Sequence, residues 1–260
     1  MLGTAVRYFH TVRYLRPCQV VGRLVAMTRR RLPGFGLPEP PAGLQGGLQP
    51  FRQFLHHDPW NSREDILAGT FRFLDVRRKL GRPVDWQAEG MPLLWRYNLH
   101  YFNYLPLLAR DEQVTLSREW IKANPPGRTV GWQPYPTSLR IVNWCKAGFK
   151  DPALLESLYL QAAHLYRNLE SYMLGNHYLE NARALVFAGV NFAGQGEAAA
   201  WLKKGRQIIR RETPEQIRAG PQGLSGSAQS VACRGYDPAG PGRCSSSYGR
   251  FSGIPYTSER

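Results

Sequence analysis

Apolar residues recur at helical intervals over most of the second half of the chain. Through 153–173, Leu154, Leu155, Leu158, Tyr159, Ala162, Leu165, Tyr166, Leu169 and Met173 fall at i, i+3 and i+4 and predict one long amphipathic helix. Gly175-Asn176 ends it. Further helices are predicted from about His177 to Ala193 and from about Glu197 to Arg211. Upstream, Leu94, Tyr97, Tyr101, Tyr104, Leu105 and Leu108 predict one helix face through Trp95–Ala109, which Pro106 should kink or break. The loops Asn124-Pro125-Pro126-Gly127 and Trp132-Gln133-Pro134-Tyr135-Pro136 follow. Pro136-Thr137-Ser138 reads as a helix start, and Leu139, Val142 and Cys145 keep the period. Short connections between long helices imply antiparallel neighbours, so residues from about 93 to 217 should form successive helical hairpins.

The flanks read differently. Residues 1–32 suggest an amphipathic helix or two, with Tyr8, Val12 and Leu15, then Val20, Val21, Leu24 and Val25, and arginines between them. Membrane-surface binding is one use of such a segment; packing on the main domain is the preferred one. Residues 33–50 are rich in proline and glycine and read as a linker. Phe71-Arg72-Phe73-Leu74 reads as a short strand and Asp85-Trp86 as a loop. After Arg218 the helical period stops, and residues 219–260 hold 20 Gly, Pro or Ser, a low-complexity composition. The expected organisation is a basic segment and linker at 1–50, a helical domain at 51–218 and a tail at 219–260.

Composition permits a core, with 43% hydrophobic and 12% aromatic residues. Thirty-four Lys and Arg against 19 acids give +15, which favours an acidic partner. The excess is uneven: Met1 to Pro38 contains seven arginines and no acid. By charge alone this is a solvated surface rather than a dedicated site. Cys18, Cys145, Cys233 and Cys244 have neither zinc spacing nor the density of a disulfide framework, and Cys145 sits in an apolar run as a small core residue. No metal or cofactor is expected. There is no signal-peptide core at the start and no membrane span, so a cytoplasmic location is expected, or a periplasmic one if an upstream leader belongs to the chain.

Four blocks carry a resemblance. They are Leu94-Trp95-Arg96-Tyr97-Asn98-Leu99-His100-Tyr101-Phe102-Asn103-Tyr104-Leu105, Trp132-Gln133-Pro134-Tyr135-Pro136-Thr137-Ser138-Leu139-Arg140-Ile141-Val142-Asn143-Trp144, Leu174-Gly175-Asn176-His177-Tyr178-Leu179-Glu180-Asn181-Ala182-Arg183-Ala184-Leu185, and Ala200-Trp201-Leu202 continuing to Glu215-Gln216-Ile217. In this order, the stretch from about 71 to 217 resembles the N-terminal domain of the heparinase II/III-like polysaccharide lyases. The resemblance implies a mainly α fold, an incomplete α/α toroid of helical hairpins whose usual C-terminal β domain is absent from this sequence. It implies cleavage of uronic-acid polysaccharides by β-elimination. Such chemistry needs a donor to neutralise the uronate carboxylate, a base for the C5 proton and an acid for the departing O4. By resemblance, Asn176 would neutralise the carboxylate and His177 would assist it or act as the base.

Each residue also has a plainer use. Asn176 stands where one helix gives way to the next and suits an N-cap. His177 alone suits a surface or core histidine. Arg140 and Asn143 share a helix at i, i+3; Arg140 suits either a bidentate carboxylate or sulfate clamp or a scaffold ion pair. Trp95, Tyr97, His100, Tyr101, Trp132 and Tyr135 suit sugar stacking or core packing, with Trp132, Tyr135, His100 and Tyr101 the substrate-binding candidates.

The sequence departs from the family after the Glu-Gln-Ile block. An Arg-Ser-Pro-x-Tyr-His-like motif, whose tyrosine is the expected acid/base, is replaced by Gly220-Pro221-Gln222-Gly223-Leu224-Ser225, and no tyrosine lies between Tyr178 and Tyr236. A frameshift near 218–220 would explain the switch. The expected function is therefore the N-terminal domain of a uronate polysaccharide lyase, inactive as this chain stands. The alternative is a non-catalytic acidic-glycan-binding or scaffold domain in capsule or exopolysaccharide metabolism. Nucleic-acid binding is disfavoured, since no helix-turn-helix, zinc or RNA-binding signature is present.

Overall fold

The structure, a computed structural model, describes residues 36–51, 60–173 and 176–216. These lie within one unit, Met1–Ile217, while a second unit, Arg218–Arg260, lies outside the described residues. So do the amphipathic segment 1–32, Cys18, Cys233, Cys244 and the tail at 219–260.

A short helix, α1 (Arg63–Leu67), opens on Ser62, whose hydroxyl accepts from the Asp65 amide as an N-cap. It leads into an antiparallel hairpin, β1 (Thr70–Phe73) and β2 (Val76–Lys79), in the register Phe73↔Val76. The expected strand at 71–74 is therefore present but stops at Phe73. Leu74 and Asp75 both take positive φ, 51° and 61°, as a two-residue type I′ turn demands.

The helices follow in order: α2 (Leu93–Tyr101), α3 (Arg110–Ala123), α4 (Pro134–Ala147), α5 (Pro152–Arg167), α6 (Asn176–Asn191) and α7 (Ala198–Gln216). Single 3-10 turns at Leu105–Leu107 and Val130–Trp132 precede α3 and α4. Helix α6 packs on α7, α4 and α5; α4 packs on α2 and α5, and α5 on α3. The fold is mainly α, as the hairpin pattern predicts.

Several boundaries differ from the periodicity, each for a local reason. Helix α2 stops at Tyr101 because Phe102 turns left-handed (φ 62°) and Pro106 then falls in a 3-10 turn. Its buried side is Trp95, Leu99, His100 and Tyr101, whereas Leu94 is exposed. Helix α4 starts two residues earlier than expected, with Pro134 and Pro136 both in the first turn, where a missing N–H costs nothing. Helix α5 begins on Asp151, which accepts from the Leu154 amide, and ends at Arg167 rather than 173. There the Asn168 side chain donates to the His164 carbonyl and closes the helix. Helix α7 runs on through Pro214 to Gln216, beyond the expected Arg211.

The core is unusually aromatic. Trp86, Trp95, Trp120, Trp144 and Trp201 are all fully buried. Phe102 lies parallel to Trp86 (centroids 5.6 Å, 10°) and meets Trp120 and Trp144 edge-on. The α6–α7 crossing is close because glycines permit it. A Cβ on Gly189 would lie 2.7 Å from Leu202 Cβ, and one on Gly205 would lie 2.7 Å from the Ala182 carbonyl oxygen.

The segment 36–51 has no helix or strand, yet it is not a free linker. The Gly47 amide donates to the Asn191 carbonyl (2.7 Å), and Leu48 donates to the Asn191 side chain. Gln45 and Gln195 exchange two hydrogen bonds, and Phe51 donates to the Lys146 carbonyl. Its glycines let the chain lie against the end of α6; a Cβ on Gly46 would meet the Phe149 carbonyl oxygen at 2.9 Å.

Candidate functional site

Asn176 is the first residue of α6. Its side chain is exposed and bonds no other described residue. The next residue, His177, turns back against the fold. Its Nδ1 lies 3.2 Å from Glu170 Oε2, and its ring stacks on Tyr135 with centroids 4.0 Å apart at 24°. Tyr135, in the first turn of α4, meets Tyr101 edge-on at 5.9 Å. Tyr101 closes α2, and one turn earlier Tyr97 donates to Gln133 Oε1, the residue that precedes α4. The end of α2 and the starts of α4 and α6 thus meet on one face. The two starts bring the positive ends of two helix dipoles towards it.

Behind this face a buried asparagine ties α4 and α6 to the turn before α6. Asn181 is fully buried; its Oδ1 accepts from the Glu170 amide (2.9 Å) and its Nδ2 donates to Ser138 Oγ (3.0 Å). Glu180 and Arg183 form an ion pair of 2.6 Å one turn along α6. Burial lowers the Lys146 pKa, and Arg183 lowers it further. Burial raises the pKa of Tyr101 and of Tyr135, reinforced by Tyr135 and Tyr97 for the first and by Glu180 for the second, so both phenols stay protonated at neutral pH.

Of the expected ligand-binding residues, Tyr135 and Tyr101 are brought together beside His177. Asn143 lies at the margin of the same side of α4, 8% exposed, and its amide donates to the Tyr101 carbonyl and to Asn103 Oδ1, both at 2.8 Å. The other three are interior. Arg140 is wholly buried: Nε donates to Gln161 Oε1 (2.9 Å), Nη1 to the Gly131 carbonyl (2.8 Å) and, at 3.3 Å, to the His100 carbonyl. Its guanidinium lies 3.9 Å over the Trp120 ring. It is neither a surface clamp nor a scaffold ion pair, since its partners are neutral oxygens and an indole face. His100 is fully buried, and its Nδ1 accepts from Trp120 Nε1 (3.0 Å). Burial, then Arg140, then Arg96 holds its pKa well below the usual imidazole range. Trp132 donates to the Asn124 carbonyl and is 3% exposed. Asn176, as a residue within α6 whose side chain makes no cap bond with a described residue, differs from the plainer alternative of an N-cap.

Glu170, Gln133, Glu180, Arg183 and Lys146 were not among the expected residues. Glu180 and Arg183 were discoverable, since they stand one and two helical turns beyond Asn176. Glu170 was hidden inside a helix predicted to run to 173. Among the described residues no cluster of three His, Cys, Asp or Glu could hold a metal ion, and no helix is long and apolar enough to cross a membrane.

Comparison with known proteins bears on the helices that carry this face. Residues 109–223 match the family described as Heparinase II/III N-terminus. The match contains α4, α6 and the residues from Tyr135 to Arg183; the block at 94–105 precedes it. A solved heparinase III with methylated lysines aligns at 22% identity and a TM-score of 0.50, over 59% of this chain and 31% of that one. The heparan sulfate lyase HepC from Pedobacter heparinus aligns at 20% identity and a TM-score of 0.51, over 76% of this chain and 35% of that one. The chain thus spans about a third of the length of either structure, and at this identity the likeness speaks for the fold. A comparison with curated proteins gives no match. Residues 109–223 are thus similar to the N-terminal domain of the heparinase II/III family, and the helical fold is similar to that of the two lyase structures.

Proposed function

We propose that the face at Asn176 and His177 is the carboxylate-binding side of a polysaccharide lyase site for uronate polymers. One observation carries this reading: an exposed asparagine and a partly exposed imidazole occupy the first two positions of α6, within the segment that matches the family, and the imidazole stacks on Tyr135, which in turn meets Tyr101. In β-elimination the C5–H bond gives its electrons to a new C4–C5 double bond, the C4–O4 bond breaks and O4 takes up a proton. The Asn176 amide donates to the uronate carboxylate, so that charge developing at C5 spreads into a neutralised group. His177 Nε2 makes no hydrogen bond with another described residue and accepts the C5 proton. Tyr135 and Tyr101 offer a flat wall and phenolic donors to the sugar, not bases.

Two protons must be managed, and this face supplies one base. We therefore expect the 260-residue chain to bind acidic glycans and to cleave them slowly, since a missing positioned acid/base costs on the order of 10²–10⁴ in rate. Titration with heparan sulfate, alginate and other uronate polymers measures binding, and ultraviolet absorbance of unsaturated ends measures cleavage. Asn176→Ala and His177→Ala should each weaken binding. Binding to every such polymer that ignores both substitutions would overturn the assignment.

A further inference from the structure

We infer that Glu170 is a positioning residue that locks His177 in the tautomer whose Nε2 is the free base; the catalytic value of this rests on the lyase reading above. Three observations carry it. Glu170 is 7% exposed, and among the described residues its ion-pair partner is His177, with no Arg or Lys pairing with it. A carboxylate kept for stability alone would be expected to sit against a fixed cation. The second is that the turn bearing it is anchored. The Glu170 amide is held by Asn181, and Asn181 by Ser138, so α4 and α6 both fix its place. The third is geometric. The carboxylate approaches Nδ1 at 3.2 Å while Tyr135 holds the ring plane by stacking, which leaves Nε2 as the nitrogen without a described partner.

A carboxylate accepts and cannot donate when ionised, so Nδ1 must carry the proton and Nε2 the lone pair. A free histidine side chain prefers the opposite tautomer, so this contact reverses the default. In the elimination, the C5 proton passes to Nε2, the C–H electrons form the C4–C5 double bond, and O4 leaves with a proton from water. The imidazolium so formed is then faced by the Glu170 carboxylate, which stabilises it. The ring stacks on the Tyr135 phenol of α4, with Tyr101 of α2 beyond it, and the Glu180–Arg183 pair of α6 acts on that phenol.

Long-range ¹⁵N–¹H NMR of the full chain labelled in histidine tests this at alkaline pH, where neutral rings report their tautomer. Wild type should show His177 as Nδ1–H. Glu170→Gln, whose amide can accept from or donate to Nδ1, should populate the Nδ1–H form less completely than wild type. Glu170→Ala should revert it to Nε2–H with the circular dichroism melt retained. An Nε2–H ring in wild type, or an Nδ1–H ring that survives in a folded Glu170→Ala, would overturn the inference. If Glu170→Ala does not fold, wild type still decides: Nδ1–H supports the inference and Nε2–H refutes it. Glycan binding is measured separately, so an Nδ1–H ring in a chain that binds no uronate polymer would sink the lyase reading and leave the positioning contact standing.

Discussion

Truncating Arg140 to alanine separates a ligand-binding role from an internal one. The guanidinium bridges four parts of the fold: Gln161 on α5, the Gly131 carbonyl ahead of α4, the His100 carbonyl on α2 and the Trp120 face on α3. Its Nη2 also lies 3.4 Å from Thr137 Oγ1. Removal leaves Gln161 Oε1 and two carbonyls short of a donor in a dry interior, at about 1–3 kcal/mol for each group left unsatisfied. The desolvated cation–π contact adds about 2 kcal/mol. These terms share one side chain and do not add, and breaking a buried charge network typically costs about 3–5 kcal/mol.

We expect Arg140→Ala to lose about 3–5 kcal/mol in urea unfolding followed by tryptophan fluorescence. That corresponds to roughly 6–20 °C in Tm for a domain of this size. Arg140→Lys should recover only part of this, because an ammonium keeps the charge but not the planar fork. A loss below about 1 kcal/mol with an unchanged urea slope would refute the account. If that variant also lost glycan affinity, the sequence expectation of a carboxylate clamp would be restored.

Two further outcomes follow from the same interior. His100 is neutral when folded, its pKa held down by burial, Arg140 and Arg96, while the unfolded chain titrates near the ordinary value of about 6.5. The unfolded state then binds the extra proton, so stability is present above about pH 6.5 and falls below it, by up to about 1.4 kcal/mol per pH unit. Urea midpoints from pH 7.5 to 5 should show this slope, and His100→Gln should flatten it; equal slopes in both would be contrary. Gly131→Ala should cost about 1–3 kcal/mol, since its Cβ would lie 2.8 Å from His100 Nδ1 and 3.1 Å from Trp120. A thermal melt unmoved by that methyl would show that the packing gives way easily.

The helices were legible in the sequence because their apolar period reports burial directly. What periodicity does not give is which polar residue on a helix faces in. On α4, Tyr135, Asn143 and Arg140 are all polar or aromatic, yet the helical turn carries Arg140 inwards while Tyr135 and Asn143 stay at the surface side. An interior arginine violates the usual rule for charges, so the sequence suggested either a ligand clamp or a scaffold ion pair. His100 and Trp132 misled in the same way: their ring nitrogens bond within the fold. The extent of α5 was misjudged because Leu169 and Met173 continue the period after Asn168 has closed the helix. That error hid Glu170, which sits in the turn beyond.

The strong positive charge of the chain invites the argument that charge alone brings an acidic glycan to it, and the distribution of charge gives a means to test that. On the described domain the arginines are largely engaged: Arg63 with Glu112, Arg82 with Glu119, Arg118 with Asp151, Arg167 with Glu197 and Arg183 with Glu180. The face at Asn176 offers an amide, an imidazole, two phenols and helix starts, with Lys146 and the paired Arg183 to one side. Binding there should depend weakly on salt. A polyanion held mainly by the seven arginines between Met1 and Pro38 should behave otherwise. Several unscreened cations acting together give a steep dependence, as in nucleic-acid binding, where six to ten contacts lose about 10³–10⁵ in affinity between roughly 50 and 200 mM salt. Titration of one uronate polymer across that range should therefore show a change of about tenfold or less, with Asn176→Ala weakening binding at every salt concentration. A loss of several orders of magnitude, indifferent to Asn176→Ala, would locate the attraction in the arginine-rich segment and leave the Asn176 face without a demonstrated ligand.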